Sequence, residues 1–260
     1  MSSRSDERCS AACKLISMPN DMSGAFPVRS GAGFLPQPDR GGTILDLEAV
    51  EASLREVQEN LSFINSRLGD PRDPFDRLAL ENMMLGYALI DGMIERKVDL
   101  FSFGQLRAFL ELNALVLCGQ DDQVRLESMP HLVATDKHFF DNLDGGIRDV
   151  VEWHALHASE SAWIRAAGVY IRMLSEPQLF IEGNHRTGAL VMSYILARDG
   201  KPPFVLTVPH VRQFFEWSTL FSTKRKSGFL LRWQMRRLSH QFAAFLVTQA
   251  DPRFLRAGRD

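Results

Sequence analysis

The sequence predicts an all-α protein that carries one short β-hairpin flap, and three observations lead there. Leu47, Val50, Leu54, Val57, Leu61, Ile64 and Leu68 recur at alternating spacings of three and four, the period that puts side chains on one face of a helix. Two alanine-containing apolar runs, Ala162 to Ser175 and Thr187 to Asp199, are long enough for buried helices and are each closed by proline or glycine. Strand chemistry is confined to the turn sequence Asp144-Gly145-Gly146 and to Phe204–Val208.

Taken in chain order, residues 1–42 are rich in Ser, Gly, Pro, Arg and Asp without a sustained period and read as a tail. Gly31-Ala32-Gly33 is no dinucleotide fingerprint, because Pro36 stands where the third glycine belongs and no strand precedes it. Residues 43–69 form an amphipathic helix whose narrow apolar seam either docks on the main body or pairs with a second copy in a homodimer. The prolines of Gly69-Asp-Pro-Arg-Asp-Pro74 stop that helix. Two helical stripes follow, the first through Leu78, Ala79, Met83, Tyr87, Ile90 and Ile94, the second through Leu106, Phe109, Leu110, Leu112 and Leu115 up to Cys118-Gly119. From Pro130 to Ile147 the period lapses, and two histidines and the Asp-Gly-Gly turn suit a hairpin flap. Helical signals resume at Val150, pass through the two apolar runs, and continue beyond Phe204 in aromatic-rich helices. A core at 75–205 and a helical extension at 206–260 are expected.

The chain has 260 residues, 45% hydrophobic and 24% charged, which suits one globular domain with extensions. Its net charge of −2 hides a division. Residues 206–260 hold ten Lys and Arg against three acids, a local charge of +7 that leaves −9 elsewhere. This basic end is either a solvated face or a contact for a polyanion or membrane surface. Nucleic acid has no strong case, because no DNA-binding helix pair accompanies the charge. Cys9, Cys13 and Cys118 make neither a disulfide framework nor a zinc spacing. No apolar run is long enough for a secretory signal or a membrane span, so a cytoplasmic protein without a transmembrane segment is expected.

The chemistry gathers in Gln178-Leu-Phe-Ile-Glu-Gly-Asn-His-Arg186, which joins the two apolar helices. A helix N-terminus offers unpaired N–H groups, glycine permits close approach of the backbone, and Arg186 adds a fork for phosphate. Glu182 would repel an anion there unless a cation lay between them, as Mg²⁺ does between carboxylate and phosphate oxygens. The alternative is purely structural: Asn184 caps the helix, and Glu182 and Arg186 form an i, i+4 surface pair.

Phe180, Glu182, Gly183, Asn184 and Arg186 fall on a pattern that resembles the Fic/Doc (Fido) family, whose motif runs His-x-Phe-x-Asp/Glu-Gly-Asn-Gly-Arg-x-x-Arg between two central helices. The resemblance extends more loosely over residues 75–205, through the Leu110-Glu-Leu-Asn113 helix and the helix ending in Gly200-Lys-Pro-Pro-Phe. It implies a Fic-like helical bundle that transfers a nucleoside monophosphate, usually AMP from Mg²⁺-bound ATP, to a hydroxyl of a target protein. Glu182 would then hold the metal, Gly183 and Asn184 would line the anion hole, and Arg186 would grip phosphate. Three positions depart from the pattern. Gln178 replaces the family's histidine base, and an amide cannot take up a proton near neutral pH. His185 replaces a glycine and is a candidate displaced base, while Ala189 replaces the second arginine. The family's inhibitory motif, Ser/Thr-x-x-x-Glu-Gly/Asn, has no strict copy, since Arg55 and Arg77 stand at the hydroxyl position before Glu59-Asn60 and Glu81-Asn82.

His154 and His157 lie one turn apart with Glu160 beyond, but without a further ligand they read as an ordinary packed or solvated pair. Two functions stay open on these grounds. One is a nucleotide-binding transferase with altered chemistry, catalytic at Gln178 or His185; the other is an inactive Fic-like module acting through protein partners.

Overall fold

The computed structural model describes residues 44–69, 71–72, 74–141, 145–226 and 229–256, without the side chains of 229–233. The expected tail, with Cys9 and Cys13, lies outside the described residues. Among the described residues ten α-helices follow one another: α1 (Leu47–Asn65), α2 (Arg77–Glu95), α3 (Arg107–Cys118), α4 (Asp122–Glu127), α5 (Met129–Asp141), α6 (Ile147–Leu156), α7 (Ala162–Leu174), α8 (Asn184–Arg198), α9 (Val211–Ser222) and α10 (Phe229–Thr248). Among the described residues there is no β-strand, only two isolated bridges. The described residues adopt the all-α class expected from the sequence.

Helix α8 is the axis of the fold, buried from Thr187 to Ala197. It packs on α7, α2 and α3, and α10 closes over the other side of α7. Small residues let these helices approach. A Cβ on Gly86 would sit 2.3 Å from Cδ1 of Leu190 in α8, and one on Gly168 of α7 would sit 1.9 Å from Cη2 of Trp153 in α6. A hydroxyl network ties the same layer: Tyr87 donates to the carbonyl of Phe204 at 2.7 Å, and Ser193 donates to that oxygen at 2.6 Å.

Helix α1 begins at Asp46, whose carboxylate caps the N–H of Ala49 at 2.9 Å. Its seam of Val50, Leu54, Val57, Leu61 and Ile64 is buried against α2, α9 and the turn at 252–254, so the seam is used within the chain. The approach to α1 is held by Asp91, 3% exposed, whose Oδ1 accepts the N–H groups of Ile44 and Leu45 at 2.8 Å each. Burial raises the pKa of that carboxyl. Alongside, Asp46 N–H donates to the carbonyl of Phe254 and Arg256 N–H to that of Ile44, both at 2.9 Å.

Three expectations are corrected. The segment expected to hold a hairpin is helical from Met129 to Asp141. Pro130 is tolerated because it sits in the first turn, where no intrahelical N–H partner is needed. Only Thr135 and Phe139 of α5 are buried, and so narrow a stripe leaves a faint helical period; Asp144 of the turn lies outside the described residues. Phe204–Val208 forms no strand: side-chain hydroxyls from α2 and α8 take the Phe204 carbonyl, and Val208 begins a turn. Leu78 is 57% exposed, since the buried face of α2 runs through Leu80, Met83, Tyr87, Ile90 and Ile94.

Candidate functional site

Helix α7 ends at Leu174, where Ser175 turns extended while its hydroxyl bonds back to the carbonyl of Ile171 at 2.8 Å. The connection to α8 is then fastened at both sides. Glu176 exchanges backbone hydrogen bonds with Lys224 and Lys226 at 2.7 and 2.8 Å, and Leu179 N–H returns to the carbonyl of Met173 at 3.0 Å. Leu179 and Phe180 are driven into the core, where the Phe180 ring stacks on Phe139 of α5 with centroids 5.6 Å apart. This apolar anchor fixes the polar residues that follow.

Asn184, 3% exposed, is the internal brace of the loop. Its Oδ1 accepts from Phe180 N–H at 2.9 Å, and its Nδ2 donates to the Phe180 carbonyl at 2.8 Å and to Oε1 of Gln178 at 2.9 Å. Gly183 takes φ +77°, a left-handed turn that opens α8 with no side-chain cap on its first N–H groups. Asn113 of α3 crosses the gap behind it, donating to the carbonyl of Glu182 at 2.9 Å and to the Thr187 hydroxyl at 3.1 Å. Arg186 reaches the C-terminal turn of α3, where Nη1 donates to the Val116 carbonyl at 2.7 Å.

Glu182 projects outward, with its side chain 62% exposed, next to Ile181, which is 49% exposed. Helix α5 faces it: Nε2 of His131 stands 4.0 Å from Oε2 of Glu182, and Nε2 of His138 lies 2.9 Å from the Gln178 carbonyl. His185 points the other way, into the protein. Burial and the positive charge of Arg72 lower its pKa to about 4, so it is neutral at pH 7, and its Nδ1 is buried without a hydrogen-bond partner.

The arrangement has definite chemical capacities. The uncapped start of α8 favours negative charge, and the adjacent Glu182 carboxylate can take one position on a hard cation whose other ligands are phosphate and water oxygens. Among the described residues no three His, Cys, Asp or Glu side chains cluster as a metal cage. A cation here would therefore need oxygens brought by a ligand. Gln178, Glu182, Gly183, Asn184, His185 and Arg186 are brought to one turn as their spacing requires, but they face different ways. Asn113, His131 and His138 carry no site role that the sequence alone assigns. The one available signal is a lone asparagine in the otherwise apolar run Leu112–Cys118.

No protein-family model matches the chain, and no curated protein or solved structure matches it either. Among the described residues, no helix is long and apolar enough to cross a membrane.

Proposed function

We propose that this protein is a Fic-like binder of a metal-bound phosphorylated ligand, a nucleotide such as ATP with Mg²⁺, at the turn from Glu182 to Arg186. The observation that carries the reading is the exposed Glu182 carboxylate beside the uncapped N-terminus of α8. The helix N-terminus suits an anion and the carboxylate a cation, and an anion arriving alone would be repelled by Glu182 unless a cation came with it. Mg²⁺, when bound, would neutralise phosphate charge. The chain's own residues would position the ligand: Glu182 from the metal side, the N–H groups after Gly183 from the helix side, and Arg186 by its guanidinium.

The altered motif shapes the chemistry this reading allows. Gln178 turns its oxygen toward Asn184, so what remains for a ligand is an N–H donor. His185, lowered to about 4, is a weak proton acceptor at pH 7. Transfer to a protein hydroxyl, the activity that the resemblance implies, would therefore proceed without an effective base. The Gln178–Asn184 bond equally favours a second reading, a module that keeps the architecture and acts through protein partners.

Calorimetry with ATP, GTP and CDP-choline, each with and without Mg²⁺, separates the two. Binding that needs Mg²⁺ and is lost in Glu182→Gln supports the first. Absence of binding at millimolar ligand overturns it; where a nucleotide binds, label transfer from its α- and γ-labelled forms identifies the group moved.

A further inference from the structure

At the opposite end of α8 from this turn, a cavity of about 260 Å³ opens between the last turn of α8, the first turns of α7, helix α6 and the segment after α2. Two ion pairs from different elements line it. Arg198 Nη1 donates to Oδ1 of Asp99 at 2.7 Å, and Arg165 pairs with Oδ2 of Asp199. Neither pair uses up its partners. Oδ1 of Asp99 also accepts Phe101 N–H at 3.1 Å, and Arg165 Nε donates to the Glu160 carbonyl at 3.3 Å. Within the described residues this leaves Oδ2 of Asp99, Oδ1 of Asp199, Nη1 of Arg165 and Nη2 of Arg198 with no hydrogen bond.

His154 completes the wall. Its ring lies flat on Phe101, centroids 3.8 Å apart and planes 9° from parallel, and neither ring nitrogen has a hydrogen bond among the described residues. Burial, reinforced by the charge of Arg165, lowers its pKa to about 4, so at pH 7 it presents one donor and one acceptor.

The charges select the ligand class. A simple anion entering the cavity meets two carboxylates, and a simple cation meets two guanidinium groups. A molecule carrying both charges meets complementary groups at each end. The volume is below the roughly 300–1,000 Å³ of sites for drug-sized molecules, which restricts the occupant to something small.

We propose that this cavity binds a small zwitterion of the α-amino acid class, its carboxylate on the open N–H groups of Arg165 and Arg198 and its ammonium on the open oxygens of Asp99 and Asp199. The assignment is independent of the phosphate reading at the other end of α8. The test uses the full chain, each standard L-amino acid as probe, and two readouts, calorimetry and the NMR shifts of the His154 ring. At least one amino acid should bind at millimolar concentration or tighter and move the His154 resonances. Its deaminated and its amidated analogues should each bind about tenfold or more weakly, and Asp199→Asn should weaken the amino acid by a similar factor while leaving the circular dichroism unchanged. Failure of every amino acid to move His154, or equal affinity for the deaminated analogue, overturns the proposal.

Discussion

Nδ2 of Asn184 donates to Oε1 of Gln178 at 2.9 Å, and the backbone N–H of Phe180, bonded to the same asparagine, fixes which way both side chains point. Phe180 N–H can only donate, so the atom that accepts it is the oxygen of Asn184. The amide nitrogen of Asn184 must then face Gln178, and Gln178 must answer with its oxygen. Removing this brace leaves the buried Phe180 N–H unpaired. Asn184→Ala should lower stability by about 2–3 kcal/mol, measured by urea denaturation.

Under the phosphate-transfer reading, Gln178→His restores a titratable group at that position. Label transfer from Mg-ATP to a protein acceptor should rise by roughly 10²–10⁴-fold, the usual contribution of a positioned base. An unchanged rate with nucleotide still bound would place the block at His185 and Ala189 instead.

Gly183 is held at φ +77°, and a Cβ there would stand 2.8 Å from Nδ2 of Asn113 and 3.2 Å from Cδ2 of Leu117. Gly183→Ala should cost about 1–3 kcal/mol from left-handed strain and the displaced asparagine. Thermal denaturation reads the loss, and Asn113→Ala combined with it should recover part of the steric portion.

Asp91 gathers two backbone N–H groups from the start of the described chain. Asp91→Ala orphans both and should destabilise by about 2–4 kcal/mol, whereas Asp91→Asn keeps an acceptor in place and should lose less than half as much. Chemical denaturation of the pair gives the comparison.

Acid should weaken the fold through its histidines. His154 and His185 are lowered from 6.5 to about 4 by burial, so between those values the unfolded chain binds protons that the folded chain refuses. Stability therefore falls as pH drops from about 6.5 toward 4, by up to about 1.4 kcal/mol per pH unit for each histidine, and is insensitive to them above that window. Denaturation midpoints taken between pH 7 and pH 4 check the sign. His154→Gln should flatten the slope.

The helices legible in the sequence were those with a long apolar run or a seam repeated over several turns. Residues 162–174 and 184–198 carry long apolar runs, and α1 repeats its seam through Val50, Leu54, Val57, Leu61 and Ile64. Helix α5 was illegible because two buried side chains, Thr135 and Phe139, generate almost no period, while the glycines after it imitate a hairpin turn. At the site, spacing alone brought Gln178 to Arg186 into one turn. It could not show that Asn184 faces inward and Glu182 outward, because both orientations satisfy the same spacing. The partners contributed from α3 and α5, Asn113, His131 and His138, lie 40 to 74 residues away in the chain, where no local pattern reports contact.

The pairing of residues 44–46 with 254–256 makes the two margins of the described fold a single joint. Any trimmed version has its limits set together rather than one by one. Cutting at 253 would release the entry to α1 as surely as cutting at 46. Conversely, because these margins already lie side by side, a short bridge between residues 44 and 256 would allow new termini to be opened elsewhere, giving a rearranged chain with the same helices in a different order.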